Sequence, residues 1–124
     1  MKSTHVAIGL FAIALTAGCG GSSNSSPTTP TPATQGTSVT IPMNARTLGS
    51  SAYSPNPVTV AAGTTVTWVN NDTIAHTSTS DSPGVFDTGT INAGASASFT
   101  FQTRGTFPYH CTFHQGMVAS VVVQ

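Results

Sequence analysis

The sequence predicts an all-β domain, a small sandwich or barrel, and three observations predict it. From Ser38 onward no stretch carries helical periodicity. Short runs of β-branched and aromatic residues recur instead, and Gly, Pro, Asn and Asp punctuate them at short intervals. Within the runs, apolar residues alternate, so one face of a strand can be buried while the other meets water.

Eight strands are expected. The first covers "SVTIPM" (Ser38–Met43), the second Pro57–Ala61 and the third Thr64–Asn70. Between the second and third lies the turn "AAGTT", whose glycine supplies a positive φ. The fourth is expected at Thr77–Ser80 and the fifth at Val85–Asp87. The sixth, Ala95–Phe101, follows a second turn, "NAGAS"; the seventh covers Gly105–Cys111 and the eighth Val118–Val123. Val66 and Trp68 share one face of their strand, as Phe99 and Phe101 share one of theirs, and these sets are expected to form the core. The 87 residues from Ser38 to Gln124 suffice for an independent but small two-sheet domain.

The first 37 residues read differently. Lys2 and His5 precede the apolar run "VAIGLFAIAL", too short to span a bilayer but suited to the core of an export signal. Ala17 and Gly18 directly before Cys19 resemble a bacterial lipobox, although Thr16 stands where a leucine is expected. Residues 1–18 are therefore read as a lipoprotein signal peptide and Cys19 as the lipidated residue. Residues 20–37, "GGSSNSSPTTPTPATQGT", contain no aliphatic side chain larger than alanine and cannot offset chain entropy by burial. They are expected to form a disordered tether with a span of about 25 Å as a flexible coil. The globular domain is placed at 38–124, lipid-anchored in the bacterial cell envelope and facing the periplasm or the cell surface. With Cys19 lipidated, Cys111 has no partner in its own chain, and an unpaired thiol in an oxidising compartment is vulnerable unless something occupies it.

Charge is scarce. Beyond Cys19 the only basic side chains are Arg46 and Arg104, and the only acidic ones Asp72, Asp81 and Asp87. No basic patch exists for nucleic acid. Long-range steering toward a protein partner must be weak, so docking is expected to be mostly apolar.

The chemistry concentrates in "YHCTFHQGM" (residues 109–117), where Cys111, His114 and Met117 stand three residues apart. A period of two through "GTFPYHC" sends Phe107, Tyr109 and Cys111 to the interior and His110 outward. The chain then leaves the sheet in a tight loop, with Gly116 relieving the backbone, and Met117 closes it. A fourth donor is available at His76, just after a core strand in "WVNNDTIAHTSTS". One thiolate, two imidazoles and a thioether form the donor set of a trigonal copper site with a weak axial ligand. Zinc prefers harder donors than a thioether. Phe113 is expected beside the ring of His114 at the exposed end, where it and Gly116 would offer an apolar docking patch.

"YSPNPVTVAAGTTVTWVNNDTIAHTS" and "FDTGTINAGASASFTFQTRGTFPYHCTFHQGM" resemble the plastocyanin/azurin (cupredoxin) family over nearly the whole domain. The Cys-x2-His-x2-Met spacing is similar to the amicyanin subgroup. The resemblance implies an eight-stranded Greek-key β-sandwich with the metal at one end, and one copper ion cycling between Cu(I) and Cu(II). It makes His76, Cys111, His114 and Met117 the ligands of a type 1 (blue) copper site. One departure stands out: the family often carries asparagine directly after the first ligand histidine, tying the two ligand loops together, and this chain carries Thr77.

The function expected is one-electron transfer between redox proteins such as cytochromes, oxidases or dehydrogenases, by a membrane-anchored monomer that is not an enzyme. The chain shows no carboxylate pair, no nucleophile with a base and no cofactor loop. The competing expectation is a periplasmic copper store or delivery module outside any redox circuit.

Overall fold

The computed structural model describes residues 36–124, which fold into two sheets. Seven strands form: β1 (Gly36–Ile41), β2 (Val58–Val60), β3 (Thr64–Asn70), β4 (Thr79–Ser80), β5 (Ser96–Phe101), β6 (Gly105–His110) and β7 (Val118–Val123). One sheet has the order β1-β3-β5 and the other β2-β7-β6-β4. Two single-turn 3-10 helices, Ala45–Thr47 and Gly49–Ser51, occupy the crossing from β1 to β2. Among the described residues no helix is long and apolar enough to cross a membrane.

In the first sheet β1 runs parallel to β3, with Val39 opposite Trp68, and β5 runs antiparallel to β3, with Ala97 opposite Trp68. In the second, β7 pairs antiparallel with β6 and parallel with β2. The alternating residues of both inner faces meet: Val39, Ile41, Val66, Trp68, Phe101, Tyr109 and Val121 are buried. Trp68 and Tyr109 satisfy each other across the two sheets, since the indole Nε1–H donates to the tyrosine hydroxyl at 3.1 Å. Phe86 stacks on Trp68 at 5.6 Å between ring centroids and fills the same layer. The faces expected for Val66, Trp68, Tyr109 and Cys111 are the observed ones; Phe99 and Phe107 pack partly buried against the core.

Several boundaries differ from the expected ones: β1 stops at Ile41, β2 covers only Val58–Val60 and β5 starts at Ser96, and four further differences have a local reason. Strand β1 begins at Gly36, inside the stretch assigned to the tether, because Gly36 and Thr37 align with Thr65 and Val66 of β3; backbone pairing leaves no mark in composition. The expected strand Val85–Asp87 makes a single bridge, Thr79 to Asp87, and Ser80 N–H donates to Phe86 O. Its run is cut short by the turn at Pro83-Gly84, where Gly84 has φ +80°. The fourth strand shrinks to Thr79–Ser80 because Thr77 turns its N–H to the Cys111 sulfur and its carbonyl to the Tyr53 hydroxyl. The strand before the cluster ends at His110, since Cys111 N–H bonds back to Met117 O at 3.0 Å and begins the loop.

Candidate metal centre

Two chain segments build the centre at one end of the sandwich. The first is the irregular stretch after β3, which carries Asp72, His76 and Thr77. The second is the loop from β6 to β7. Three backbone hydrogen bonds close that loop on itself: Cys111 N–H to Met117 O, His114 N–H to Cys111 O and Met117 N–H to His114 O. Gly116 sits at φ +82°, a conformation that a side chain would strain. The loop therefore places residues 111, 114 and 117 on one turn-like coil while β6 and β7 hold both of its ends.

His76, Cys111 and His114 converge, with their ligand atoms all within 4.8 Å of one another. Cys111 Sγ lies 3.8 Å from His76 Nδ1 and 3.5 Å from His114 Nδ1. Sulfur and nitrogen bound at about 2.3 and 2.05 Å to one ion would stand roughly 3.6 Å apart in a tetrahedral arrangement and 3.8 Å in a trigonal one. The observed separations fit a shared ion. The proton inventory allows the same reading. An ionised carboxylate only accepts, so His76 Nε2, 3.0 Å from Asp72 Oδ2, carries the ring proton. In the neutral ring Nδ1 is then a bare lone pair aimed at sulfur. A lone pair facing the cysteine sulfur can be met by the thiol proton or by a cation that replaces it, and for a cation the soft sulfur with two imidazoles suits copper.

Burial grades the donors. His76, Cys111 and Met117 are buried, whereas His114 is half-buried. Burial is also the first cause that keeps the His114 imidazole below its ordinary pKa; the neighbouring His76 and Arg46 add to it, and Asp72 opposes it weakly. A depressed pKa leaves that ring neutral and able to donate its lone pair at neutral pH. Met117 occupies the interior at the end of the loop, its backbone joined to both Cys111 and His114. Phe113 is 53% exposed and stands edge-on to His114, with ring centroids 6.4 Å apart. Gly116 is exposed as well, and a cleft is lined by His110, Cys111, Thr112, His114, Gln115 and Gly116. His110 points outward and pairs with Asp81 through Nδ1. Cys19 lies outside the described residues.

Thr77 ties the two segments. Its N–H donates to Cys111 Sγ at 3.4 Å, and its hydroxyl oxygen accepts from Thr112 N–H at 2.9 Å and lies 3.2 Å from the Thr112 hydroxyl. The Thr79 hydroxyl reaches the same oxygen at 3.1 Å, and Tyr53 donates its hydroxyl to the Thr77 carbonyl. Every polar atom of residue 77 is thus engaged.

Two contributors were not singled out by sequence. Tyr53 is buried, and burial first, then the negative charge potential of Cys111, drives its hydroxyl far above the usual phenol range, so it stays a neutral donor. Asp72 is buried beneath His76. Burial disfavours its charge, but hydrogen bonds from His76 and from the backbone N–H groups of Thr73, Asn44 and Ala45 outweigh that and hold its carboxyl at about 2. Its four-residue spacing before His76 was the available signal, in a stretch with no helical pattern to give that spacing meaning.

Residues 42–124 match the model of a family described as copper binding proteins, plastocyanin/azurin family. The chain is 36% identical over 94 residues to the plastocyanin of Scenedesmus fuscus, a match covering 61% of this chain and 90% of that one. With the chloroplastic plastocyanin of Tetradesmus obliquus it shares 35% identity over 94 residues, covering 61% of each. Among solved structures it is similar to a purple cupredoxin from Nitrosopumilus maritimus, with TM-score 0.66 and 29% identity, covering 71% of this chain and 99% of that one. An amicyanin variant in its reduced Cu(I) form gives TM-score 0.61 and 26% identity over 74% of this chain and 85% of that one.

Proposed function

The chain belongs to the plastocyanin/azurin family of copper-binding proteins, and from that premise we propose that it is a type 1 blue copper carrier, anchored in the cell envelope, that moves one electron at a time between larger redox proteins. Its cofactor is copper. The bound ion supplies a one-electron couple between Cu(I) and Cu(II).

The protein's own residues give that couple its environment. Cys111 would hold the ion through its thiolate, His76 and His114 through one ring nitrogen each, and Met117 would add a weakly donating thioether. The observation that carries this reading is the approach of two Nδ1 atoms, 3.5 and 3.8 Å away, to one sulfur. Reorganisation on electron transfer is kept small because both segments are fixed from outside, by β6, β7 and Thr77. His114 is the half-buried ligand, so its ring is the exit toward a partner, and exposed Phe113 and Gly116 supply an apolar rim. Burial of Cys111 and Met117 supports a carrier over a delivery module, whose donors must be reached and released. Cys19 as the lipidated residue and the stretch to residue 35 as tether would hold the domain near its partners.

Copper(II) loading of the full chain should produce an intense visible thiolate-to-copper band, with a matching electron paramagnetic resonance signal of small copper hyperfine splitting. Cys111→Ser should abolish the band. Copper uptake by the native chain without a visible band would remove the blue-site reading.

A further inference from the structure

Asp72 carries a role that neither the family nor the donor geometry by itself assigns. Only three acidic side chains lie in the described residues, Asp72, Asp81 and Asp87, and Asp72 alone is buried. It does not form a simple pair. Oδ2 accepts from His76 Nε2–H at 3.0 Å and from Ala45 N–H at 3.1 Å, while Oδ1 accepts from Thr73 N–H at 2.7 Å. Its own N–H is held by Asn70 Oδ1 at 2.9 Å, and Asn70 in turn donates to Ile74 O and Ile91 O. The carboxylate is therefore clamped on all sides, and the imidazole it faces is a ligand on its other nitrogen.

We propose that Asp72 is a positioning residue for the copper site: through His76 it fixes the tautomer that presents Nδ1 to the metal, and its buried charge favours the oxidised over the reduced ion. The proposal rests on the copper reading above. Two physical arguments support it. A carboxylate behind a ligating imidazole locks the ring's orientation and strengthens its donation to the metal. Counting charge gives the bias. Copper(II) with one thiolate is a net +1, which the Asp72 charge cancels; copper(I) with the thiolate is neutral, and the carboxylate is left as an uncompensated buried charge. The same carboxylate ties the His76 segment to the first 3-10 turn, since Ala45, whose N–H it accepts, opens that turn.

The test compares the full-length, copper-loaded protein with Asp72→Asn, which keeps an acceptor but removes the charge, and Asp72→Glu, which keeps both. Asp72→Asn should weaken Cu(II) binding by about 10- to 100-fold. Copper(I) binding should weaken less, and each tenfold difference raises the reduction potential by roughly 59 mV. Asp72→Glu should recover part of that shift. A blue protein whose potential is the same in native and Asp72→Asn forms overturns the proposal without touching the blue-site reading, as does an equal shift in both variants, which would reflect packing alone. Failure of the native chain to become blue sinks the reading beneath it instead. The native protein also answers without any variant: its Cu(I) form should show the His76 Nε2-bound proton in nuclear magnetic resonance, slow to exchange and shifted downfield. A His76 ring protonated at Nδ1, or an Nε2 proton exchanging freely with water, overturns the proposal even if neither variant folds.

Discussion

Replacing Thr77 by valine isolates the tie between the two ligand segments. Valine retains the β-branched shape and both backbone groups, so the N–H to Cys111 Sγ and the carbonyl that accepts from Tyr53 survive. What disappears is an oxygen with two incoming donors and one outgoing bond. Thr112 N–H, which approaches it at 2.9 Å, has no second acceptor. Thr79 has one, because its hydroxyl already lies 3.0 Å from Asp87 Oδ1 and can turn there. The Thr112 hydroxyl belongs to an exposed residue and turns to water. The loss therefore reduces to one part-buried amide donor, near the lower half of the usual 1–3 kcal/mol, or about 1.5 kcal/mol. For a domain of this size that lowers the midpoint of thermal unfolding by roughly 6–12 °C. The assay is thermal unfolding of the copper-free protein followed by Trp68 fluorescence, with copper release from the loaded form measured in parallel. Release should quicken while the visible band stays in place, because the N–H to sulfur is intact. A midpoint that moves by less than about 2 °C, with unchanged copper release, would refute the claim that the Thr77 hydroxyl ties the two segments together.

Other perturbations separate roles that the fold superimposes. Met117→Leu nearly conserves volume, so the copper-free protein should lose less than about 1.5 kcal/mol in urea unfolding. The copper form should nevertheless change its visible spectrum and its potential, because the weak thioether donor tunes both; an unchanged spectrum and potential would make Met117 a core residue only. Cys19→Ser should move the full-length protein from the membrane to the soluble fraction on cell fractionation, and persistence in the membrane would remove the lipid anchor. Acid should weaken the copper-free fold through Asp72. Its folded pKa of about 2 lies below the ordinary 3.8, so its contribution is whole above about pH 4 and is lost as pH falls through 2. Urea midpoints measured from pH 5 to pH 2 should fall more steeply in the native protein than in Asp72→Asn, and parallel profiles would contradict the assignment.

The sheet architecture was legible because a period of two leaves little freedom. Once Phe107 and Tyr109 face the core, Cys111 must enter it and His110 must leave, and both do. The strand ends were not legible for the complementary reason. They are decided by where individual N–H and C=O groups find partners, and Thr77, whose β-branched type suits a strand, spends its backbone on a thiol and a phenol instead. Gly36 shows the reverse case: nothing in a Gly/Thr/Ser stretch announces a strand, yet register with Thr65 draws it into one.

The centre divides along the same line. Cys111, His114 and Met117 could be read together because one closed loop keeps neighbours in sequence neighbours in space. His76 became readable only relative to them. Asp72 and Tyr53 act across 27 and 24 residues, on Ala45 and Thr77, and no local pattern records a contact of that length. Composition nevertheless held a usable hint. Burying a carboxylate costs several kcal/mol unless its hydrogen bonds are complete, and a domain this poor in charge has few to place. Where such a chain sets an aspartate four residues before a candidate ligand histidine, a surface position would need no partners at all. Here the aspartate is buried and accepts from the candidate ligand ring and from backbone N–H groups. That arrangement is intelligible if the ring's other nitrogen must be held in one direction.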